Sequence, residues 1–205
     1  MTIKSWVRIT PDAIVSDRPV PVAEGSGKDM LVSAFRALGC GYAKFHKMDT
    51  LSKAGFLASE ILLSDELGRF EPREDRAVLL FNSSASLCDD RHYQNTINDP
   101  QNWFPSPAVF VYTLPNIVTG EIAIRNKYYG ETCFYVMEKP DAGEICRIVG
   151  NAFQDRVTRS AVCGWAECSD DDTFEVVLFL VEKDGDASGV QWNTENISAA
   201  FGCRK

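Results

Sequence analysis

The 205-residue sequence contains no long uninterrupted stretch of apolar residues. A helix that crosses a bilayer needs about 18 or more consecutive, mostly apolar residues, and no segment approaches that length. The first residues, Met1 to Val15, also lack the basic start and apolar block of a secretory signal peptide. These absences argue against a membrane span and predict a cytoplasmic protein.

Histidine is scarce, and the cysteines lack the spacing of a metal site. The chain has two histidines and seven cysteines, an odd number. The only close cysteine pair, Cys163 and Cys168, has neither a second pair nor a nearby histidine, as a zinc site would require. Most of the cysteines lie in apolar stretches, where a free thiol packs as a small core residue. The sequence therefore predicts reduced cysteines, no metal and no cofactor.

Positive charge is also in deficit, with 21 Lys and Arg against 29 Asp and Glu and a net charge of −8. Nucleic acids and anionic membrane surfaces are bound by clustered basic side chains, so neither is an expected partner. An acidic partner would need a local basic patch. The best candidates are Lys44, Lys47 and Lys53, which are also compatible with a solvated helix start.

The composition is that of a folded domain, with 45% hydrophobic and 24% charged residues. In the first half of the chain, alternation and turn residues predict strands, and spacings of three and four predict helices. Asp49 or Thr50 can cap the clearest helix. The predicted elements are a strand Ile3–Ile9, a loop Val15–Lys28, the capped helix Leu51–Leu63, a buried strand Ala77–Ser84, a short helix His92–Ile97 and irregular chain Asp99–Pro107.

The second half continues the alternation of helix and strand. A helical pattern runs from Ala108, with Pro115 near its start and Gly130 as its end. The elements predicted after it are a strand Thr132–Met137, a helix Asp141–Val157, and a hairpin of strands Ala161–Cys168 and Phe174–Glu182. Residues 1–183 are therefore expected to form one layered α/β domain with a mixed sheet, followed by a polar tail at 184–205.

Three segments of the chain carry distinctive motifs. The first is "FHKMDTLSKAGFLAS", Phe45–Ser59, which leads into a long helix. The second is "AVLLFNSSASL", Ala77–Leu87, a strand followed by a serine-rich turn. The third is "SPAVFVYTLPNIVTGEIAIRNKYYGE", Ser106–Glu131. In this order the three segments resemble the N-terminal half of β-ketoacyl (3-oxoacyl-acyl-carrier-protein) synthases, the condensing enzymes of fatty-acid and polyketide synthesis, and the resemblance implies a half of the thiolase-like fold.

The same resemblance identifies the position of the nucleophilic cysteine, which falls on Lys139. A primary amine would form a stable amide and could not pass an acyl chain onward. Cys133, six residues earlier, is a less favoured thiol for that position. The family's two catalytic histidines belong to its C-terminal half, and His46 and His92 match neither of them. A Schiff-base role for Lys139 is the disfavoured alternative to a solvated lysine.

The resemblance implies a non-condensing partner subunit, a pseudoenzyme, in fatty-acid, polyketide or polyene synthesis. The alternative is an active 3-oxoacyl synthase or acyltransferase component that another subunit completes. The expected partners are a second copy or a complete ketosynthase, with an acyl carrier protein as a further candidate. In the resembled family the strand before the nucleophile pairs across the dimer axis. The expected interface residues are therefore Cys133, Phe134, Tyr135 and Val136.

The predicted helix Asp141–Val157 is apolar on one face only. Its stripe contains Ile145, Ile148 and Val149, whereas Glu144 and Arg147 lie off the stripe. A helix buried between two sheets would have to desolvate such polar side chains. The pattern therefore favours a half-fold that stands alone or meets a polar partner.

Overall fold

The computed structural model describes residues 1–101, 104–185 and 189–202. Within these residues a seven-stranded mixed sheet carries helices on both faces. The strands are β1 Thr2–Thr10, β2 Ala13–Ser16, β3 Arg76–Asn82, β4 Thr132–Val136, β5 Ser160–Asp170, β6 Thr173–Glu182 and β7 Val190–Gln191. The helices are α1 Gly27–Ala37, α2 Thr50–Leu62, α3 Leu87–Asn95, α4 Pro107–Phe110, α5 Ile117–Asn126, α6 Ala142–Ala152 and α7 Thr194–Gly202.

The strand order is β2-β1-β6-β5-β3-β4, and β7 pairs with β1. Strands β3, β4 and β5 are mutually parallel where they pair, while β5-β6, β6-β1 and β1-β2 are antiparallel. Parallel neighbours require long crossovers. Here the crossover from β3 to β4 contains α5, and the crossover from β4 to β5 contains α6. The carboxyl ends of β3, β4 and β5 consequently meet at one end of the sheet.

The sheet separates two hydrophobic cores because successive side chains of a strand point to opposite faces. In β3, Val78 and Leu80 pack with α1, α2 and α5 on one face, and Leu79 and Phe81 pack with α6 and α7 on the other. All seven residues of β3 are buried. This explains why the strand is continuously apolar from Ala77 to Phe81 and does not alternate.

Most elements confirm the sequence predictions. The Asp49 carboxylate accepts a hydrogen bond from the Ser52 backbone N–H at 3.3 Å and so caps α2. The hairpin β5-β6, the buried strand β3 and the strand at 132–136 are present as expected. The one-faced helix is also confirmed, because Ile145 and Val149 of α6 are fully buried while Arg147 is exposed.

Several boundaries differ from the predictions. The segment expected to be a loop from Val15 to Lys28 contains the end of β2 and the start of α1, a helix that was not predicted. The short helix α3 begins at Leu87 instead of His92, and α6 ends at Ala152, five residues before the predicted Val157. Residues 102 and 103 of the predicted irregular segment lie outside the described residues.

The helix expected from Ala108 to Gly130 is interrupted. It consists of α4, a 3-10 turn Val111–Thr113 and, after Pro115, α5. Lys127, in the left-handed conformation with φ 55°, caps α5, so Gly130 does not end it. Gly130 instead lies against the Arg76 carbonyl, where any side chain would clash.

The described part of the expected polar tail is structured. Trp192, Ile197 and Ala200 are buried in the same core as α6, which places β7 and α7 against the sheet. The apolar positions of α7 are too few for periodicity to have predicted it. No single helix in the described ranges is long and apolar enough to cross a membrane. The segments Pro107–Thr113 and Ile117–Asn126 together have the length and apolar composition of a span, but they are bent by 97° relative to each other.

Candidate functional site

The strand β4 forms one edge of the sheet. It pairs with β3 in parallel register, with Leu79 opposite Cys133 and Phe81 opposite Tyr135. The Met137 N–H donates to the Asn82 carbonyl at 2.8 Å. Since the direction of backbone hydrogen bonds alternates along a strand, the N–H groups of Phe134 and Val136 point away from β3. Within the described chain this edge has no further strand, and it is open to pairing.

The four expected interface residues are not equally accessible. Cys133, Phe134 and Tyr135 are half-buried, and Tyr135 stacks on the buried Phe81 ring with 5.0 Å between centroids. Phe134 packs against the opposite core. Val136 is 57% exposed. The aromatic side chains are thus partly committed to their own subunit, and the edge offers mainly its backbone and Val136.

Lys139 lies beyond the end of β4, in the turn that leads to α6. Lys139, Glu138 and Pro140 are all exposed. The Asp141 carboxylate accepts a hydrogen bond from the Glu144 N–H at 3.0 Å and caps α6 immediately after this turn. The position to which the resemblance assigns the nucleophile is therefore a solvated lysine before a helix N-terminus, at the carboxyl end of the parallel strands.

Cys133 does not share that turn. It lies in the body of β4, and its thiol is hydrogen-bonded to the Tyr135 side chain, an interaction that together with burial raises the pKa of Tyr135 to about 12. Burial also raises the pKa of Cys40 and Cys88 to about 11 and the pKa of Cys146, Cys163 and Cys168 above its ordinary value. A nucleophilic cysteine has a lowered pKa, so these five thiols lack the required activation.

An open groove of about 450 Å³ lies beside the turn that contains Lys139. Its lining includes Pro140, Ser83 and the buried Trp165. Arg8 forms an ion pair with Glu175 at 2.6 Å across the β1-β6 pairing at the same groove. The lining of the groove therefore includes an aromatic side chain, Trp165, and an Arg8–Glu175 ion pair whose two charges offset each other.

A cluster of carboxylates lies at the N-terminus of α2. The side chains of Asp49 and Asp89 share a hydrogen bond. Burial raises the pKa of Asp49, and burial together with the charge of Asp49 raises the pKa of Asp89 to about 8. Asp171, on the turn between β5 and β6, accepts a hydrogen bond from Thr50 Oγ1 at 2.6 Å and forms an ion pair with Lys28. The acids come from three distant parts of the chain, so no local sequence pattern signalled the cluster.

The candidate basic patch is largely satisfied within the subunit. Lys44 forms an ion pair with the buried Glu121, and the Lys53 ammonium donates to the Met48 carbonyl. Burial lowers the pKa of Lys53. Lys47 is exposed. Two of the three lysines are therefore engaged internally, which weakens the case for docking an acidic carrier protein through them.

The two histidines occupy different surroundings. His46 is exposed and approaches the Phe35 ring edge-on, with 6.0 Å between centroids. His92 lies among the carboxylates, with Nε2 3.4 Å from Asp171 Oδ2. Neither histidine adjoins Lys139 in the sequence, and they belong to different elements. His46 therefore contacts an aromatic ring, whereas His92 contacts carboxylates.

Comparison with known proteins places the fold. No family model matches the chain, and no curated protein sequence matches it. Solved structures do match. "The ishigamide ketosynthase/chain length factor" superposes with a TM-score of 0.59 at 18% identity, over 92% of this chain and 63% of that chain. "AntDE:AntF (apo): type II PKS acyl-carrier protein in complex with its ketosynthase bound to the hexaketide" gives 0.53 at 14% identity, over 89% and 62%.

A third structure matches over nearly the whole of both chains. It is "Ketosynthase (ApeO) in Complex with its Chain Length Factor (ApeC) from Xenorhabdus doucetiae", with a TM-score of 0.57 at 13% identity, over 98% of this chain and 91% of that chain. This chain spans about three fifths of the ishigamide and AntDE:AntF chains, 63% and 62%. It thus has the thiolase-like fold of ketosynthase and chain length factor proteins, as the resemblance predicted.

Proposed function

We propose that this chain is a ketosynthase-like subunit that does not condense and that pairs with a complete ketosynthase in polyketide, polyene or fatty-acid synthesis. The observation that carries the proposal is the match to a chain of almost the same length in a ketosynthase–chain length factor complex. This match supports the idea that a chain of this length, shorter than a complete ketosynthase, can function as one subunit of such a complex. Such a subunit would act in the cytoplasm, where its free cysteines stay reduced.

The chemistry of the site supports the absence of condensation. A ketosynthase must accept an acyl chain as a thioester and release it again to a carbanion. The exposed amine of Lys139 would hold an acyl group as an amide, which is not a leaving group for this step. Decarboxylation of the extender unit also needs groups that stabilise the developing oxyanion. His46 lies against the Phe35 ring and His92 faces Asp171 and Asp89, so each histidine has a structural partner of its own.

The open edge of β4 supports pairing. An edge strand presents unpaired backbone donors and acceptors, and a second strand satisfies them. In the resembled family the corresponding strand lies at the dimer interface. A complete ketosynthase would contribute the matching strand together with the nucleophile and histidines. An acyl carrier protein would then be bound by the pair, since the lysines of this subunit are mostly engaged.

The alternative is an active synthase component completed by another subunit, with Cys133 as the nucleophile. The position of Cys133 within β4 and its contact with Tyr135 argue against it. The two candidates make different predictions for reconstitution, because only the alternative requires a thiol from this chain.

The test is to express the tagged chain in its native host, identify the proteins that co-purify and assay the complex. Acyl and malonyl carrier-protein thioesters are supplied, and condensation is followed by carbon dioxide release and product mass. Activity should disappear when the partner's nucleophile is replaced by Ala and should survive both Lys139→Ala and Cys133→Ala. Loss of activity with Cys133→Ala in a folded, assembled complex would instead establish the alternative. Failure of any ketosynthase to co-purify would overturn the proposal.

A further inference from the structure

Three metal-ligating side chains converge between α3 and the turn that joins β5 to β6. Cys88, His92 and Asp171 each place a ligand atom within 4.8 Å of the other two. Cys88 and His92 are four residues apart on α3, so their side chains share one face of the helix. Asp171 approaches that face from the hairpin. The three ligands therefore join two elements that are far apart in the sequence.

The imidazole of His92 is oriented as in many metal sites. Its Nε2 lies 3.4 Å from Asp171 Oδ2, and its Nδ1 lies 3.8 Å from Asp89 Oδ1. A histidine that binds a metal through one nitrogen commonly directs the other nitrogen to a carboxylate, which fixes the tautomer and the ring. Here Nε2 faces Asp171, and Asp89 lies on the Nδ1 side of the ring.

The existing partners of Asp171 do not block coordination. Its Oδ1 accepts the hydrogen bond from Thr50, and its Oδ2 pairs with the Lys28 ammonium. The Lys28 side chain is 43% exposed, so its ammonium can withdraw into water at little cost. Oδ2 is then available to a cation, while the bond to Thr50 keeps the carboxylate in place.

The helix α3 is attached mainly by contacts near the surface, among them a hydrogen bond that Arg91 donates to the Ser169 carbonyl. Of its nine residues only Cys88 and Asp89 are buried, so few apolar contacts hold it to the domain. A metal ion bound by two of its side chains and by Asp171 would cross-link it to the β5-β6 hairpin. Metal ligation commonly supplies such stabilisation where a hydrophobic core does not.

We propose that Cys88, His92 and Asp171 form a binding site for a thiolate-accepting divalent metal ion, with Zn²⁺ as the expected occupant. A thiolate and an imidazole favour Zn²⁺ over Mg²⁺ or Ca²⁺, which prefer oxygen ligands. Water completes a tetrahedral set, because His92 is half-exposed and the site faces solvent on its side. The site is independent of the proposed function. It was not expected from the sequence, which offered only the pair Cys163 and Cys168.

The test uses the full chain, freed of metal with a chelator and titrated with Co²⁺ under reducing conditions. One equivalent should give the visible bands of a tetrahedral ion and a thiolate-to-cobalt charge-transfer band, and Zn²⁺ should displace both. Cys88→Ser should remove the charge-transfer band. His92→Gln and Asp171→Asn should each weaken Zn²⁺ binding at least about tenfold, because substitution even of a residue that only orients a ligand costs about 10–100-fold in metal affinity. His46→Gln and Cys40→Ser are the matched controls and should bind as the wild type does.

Because Cys88 is buried, Cys88→Ser alone could act by disturbing the fold. His92 is half-exposed, so His92→Gln is expected to keep the wild-type circular dichroism spectrum. This variant therefore distinguishes loss of a metal ligand from loss of the fold. Zn²⁺ should also raise the thermal midpoint of the wild type but not of His92→Gln. The proposal is overturned if the wild type shows no thiolate-to-cobalt band, or if His92→Gln binds Zn²⁺ as tightly as the wild type.

Discussion

Arg125 of α5 reaches across to Glu60 of α2, with Nη2 3.2 Å from Oε2 and Nε 3.2 Å from Oε1. Arg69 pairs with the same carboxylate, which is 1% exposed. Burial alone would raise the pKa of Glu60, but the hydrogen bond from Arg125 and the charge of Arg69 outweigh it and hold the pKa below its ordinary value. The two guanidinium groups therefore keep a buried carboxylate charged where α2 and α5 pack together.

Glu60→Gln should destabilise the fold by about 3–5 kcal/mol, because it leaves two guanidinium groups without their carboxylate. Urea unfolding at neutral pH measures the change. Glu144→Gln is the matched control, since Glu144 pairs with Arg147 on the exposed face of α6, and it should change stability little. Equal effects of the two substitutions would contradict the structural role of the buried pair.

The contribution of Glu60 should depend on pH. Its pKa is lower in the folded than in the unfolded chain, so the folded state favours the ionised form. The stabilisation is fully present above the unfolded value of about 4.3 and is lost as the pH falls through the lower folded value. The difference in unfolding free energy between wild type and Glu60→Gln should be constant from about pH 5.5 to 7, as about one unit above 4.3 suffices for ionisation, and should shrink below that range. A difference that is independent of pH down to the acid transition would exclude this linkage.

A second stability prediction concerns α6. Val149 is fully buried, so Val149→Asp should place an unpaired charge in the core and unfold the domain or cost more than about 3 kcal/mol. Arg147→Ala should be close to neutral, because its ion pair with Glu144 is exposed. The sequence places Ile148 on the same apolar stripe as Val149. Ile148 is only half-buried, so Ile148→Asp should have an intermediate effect. Circular dichroism during thermal unfolding ranks the three variants.

The sequence predicted those helices and strands whose capping residues and apolar spacing lie within the element itself. The helix α2 was found because Asp49 provides a cap and apolar residues recur every three or four positions. The strand β3 was found because both of its faces are buried. The helix α7 was missed because its burial depends mainly on Ile197 and Ala200, too few positions to establish a period.

Relationships between distant residues were not accessible in the same way. The strand β4 lies at the edge of the sheet because the chain after it crosses over to place β5 on the other side of β3. The approach of Asp49, Asp89 and Asp171 depends on three elements packing together. Neither the edge position of β4 nor the approach of the three aspartates produces a periodic pattern in a short stretch of sequence. One sequence also does not show which positions vary together. The half-burial of Tyr135 was missed for the same reason, since its stacking partner Phe81 belongs to another strand.

The chain alone should show no condensing activity, and Lys139→Cys should permit acylation at most. The substitution places a thiol before the N-terminus of α6, where the helix dipole favours a thiolate. Decarboxylation would still lack its histidines. Intact-mass measurement after incubation with an acyl carrier-protein thioester detects an adduct, and Lys139→Ser is the control without a thiol. Carbon dioxide release from malonyl thioesters above background by either the wild type or Lys139→Cys would contradict the prediction.

The last prediction is that association uses the open edge of β4, in a pair of two copies or in a pair with a ketosynthase. Tyr135→Lys is a poor probe because the ring also packs on Phe81 within the subunit. Proline substitutions at two neighbouring positions of β4 give a cleaner comparison. Val136→Pro removes an N–H that points to the open edge, whereas Met137→Pro removes an N–H that donates to Asn82 within the subunit.

Val136→Pro should therefore weaken association about tenfold or more, the equivalent of about 1.4 kcal/mol, with little change in thermal stability. Met137→Pro should chiefly lower the thermal midpoint, because it breaks a bond of the subunit's own sheet. Light scattering across a dilution series measures self-association, and the same series with the co-purified ketosynthase measures the mixed pair. If Val136→Pro associates as tightly as the wild type in both series, the contact lies elsewhere than on this edge.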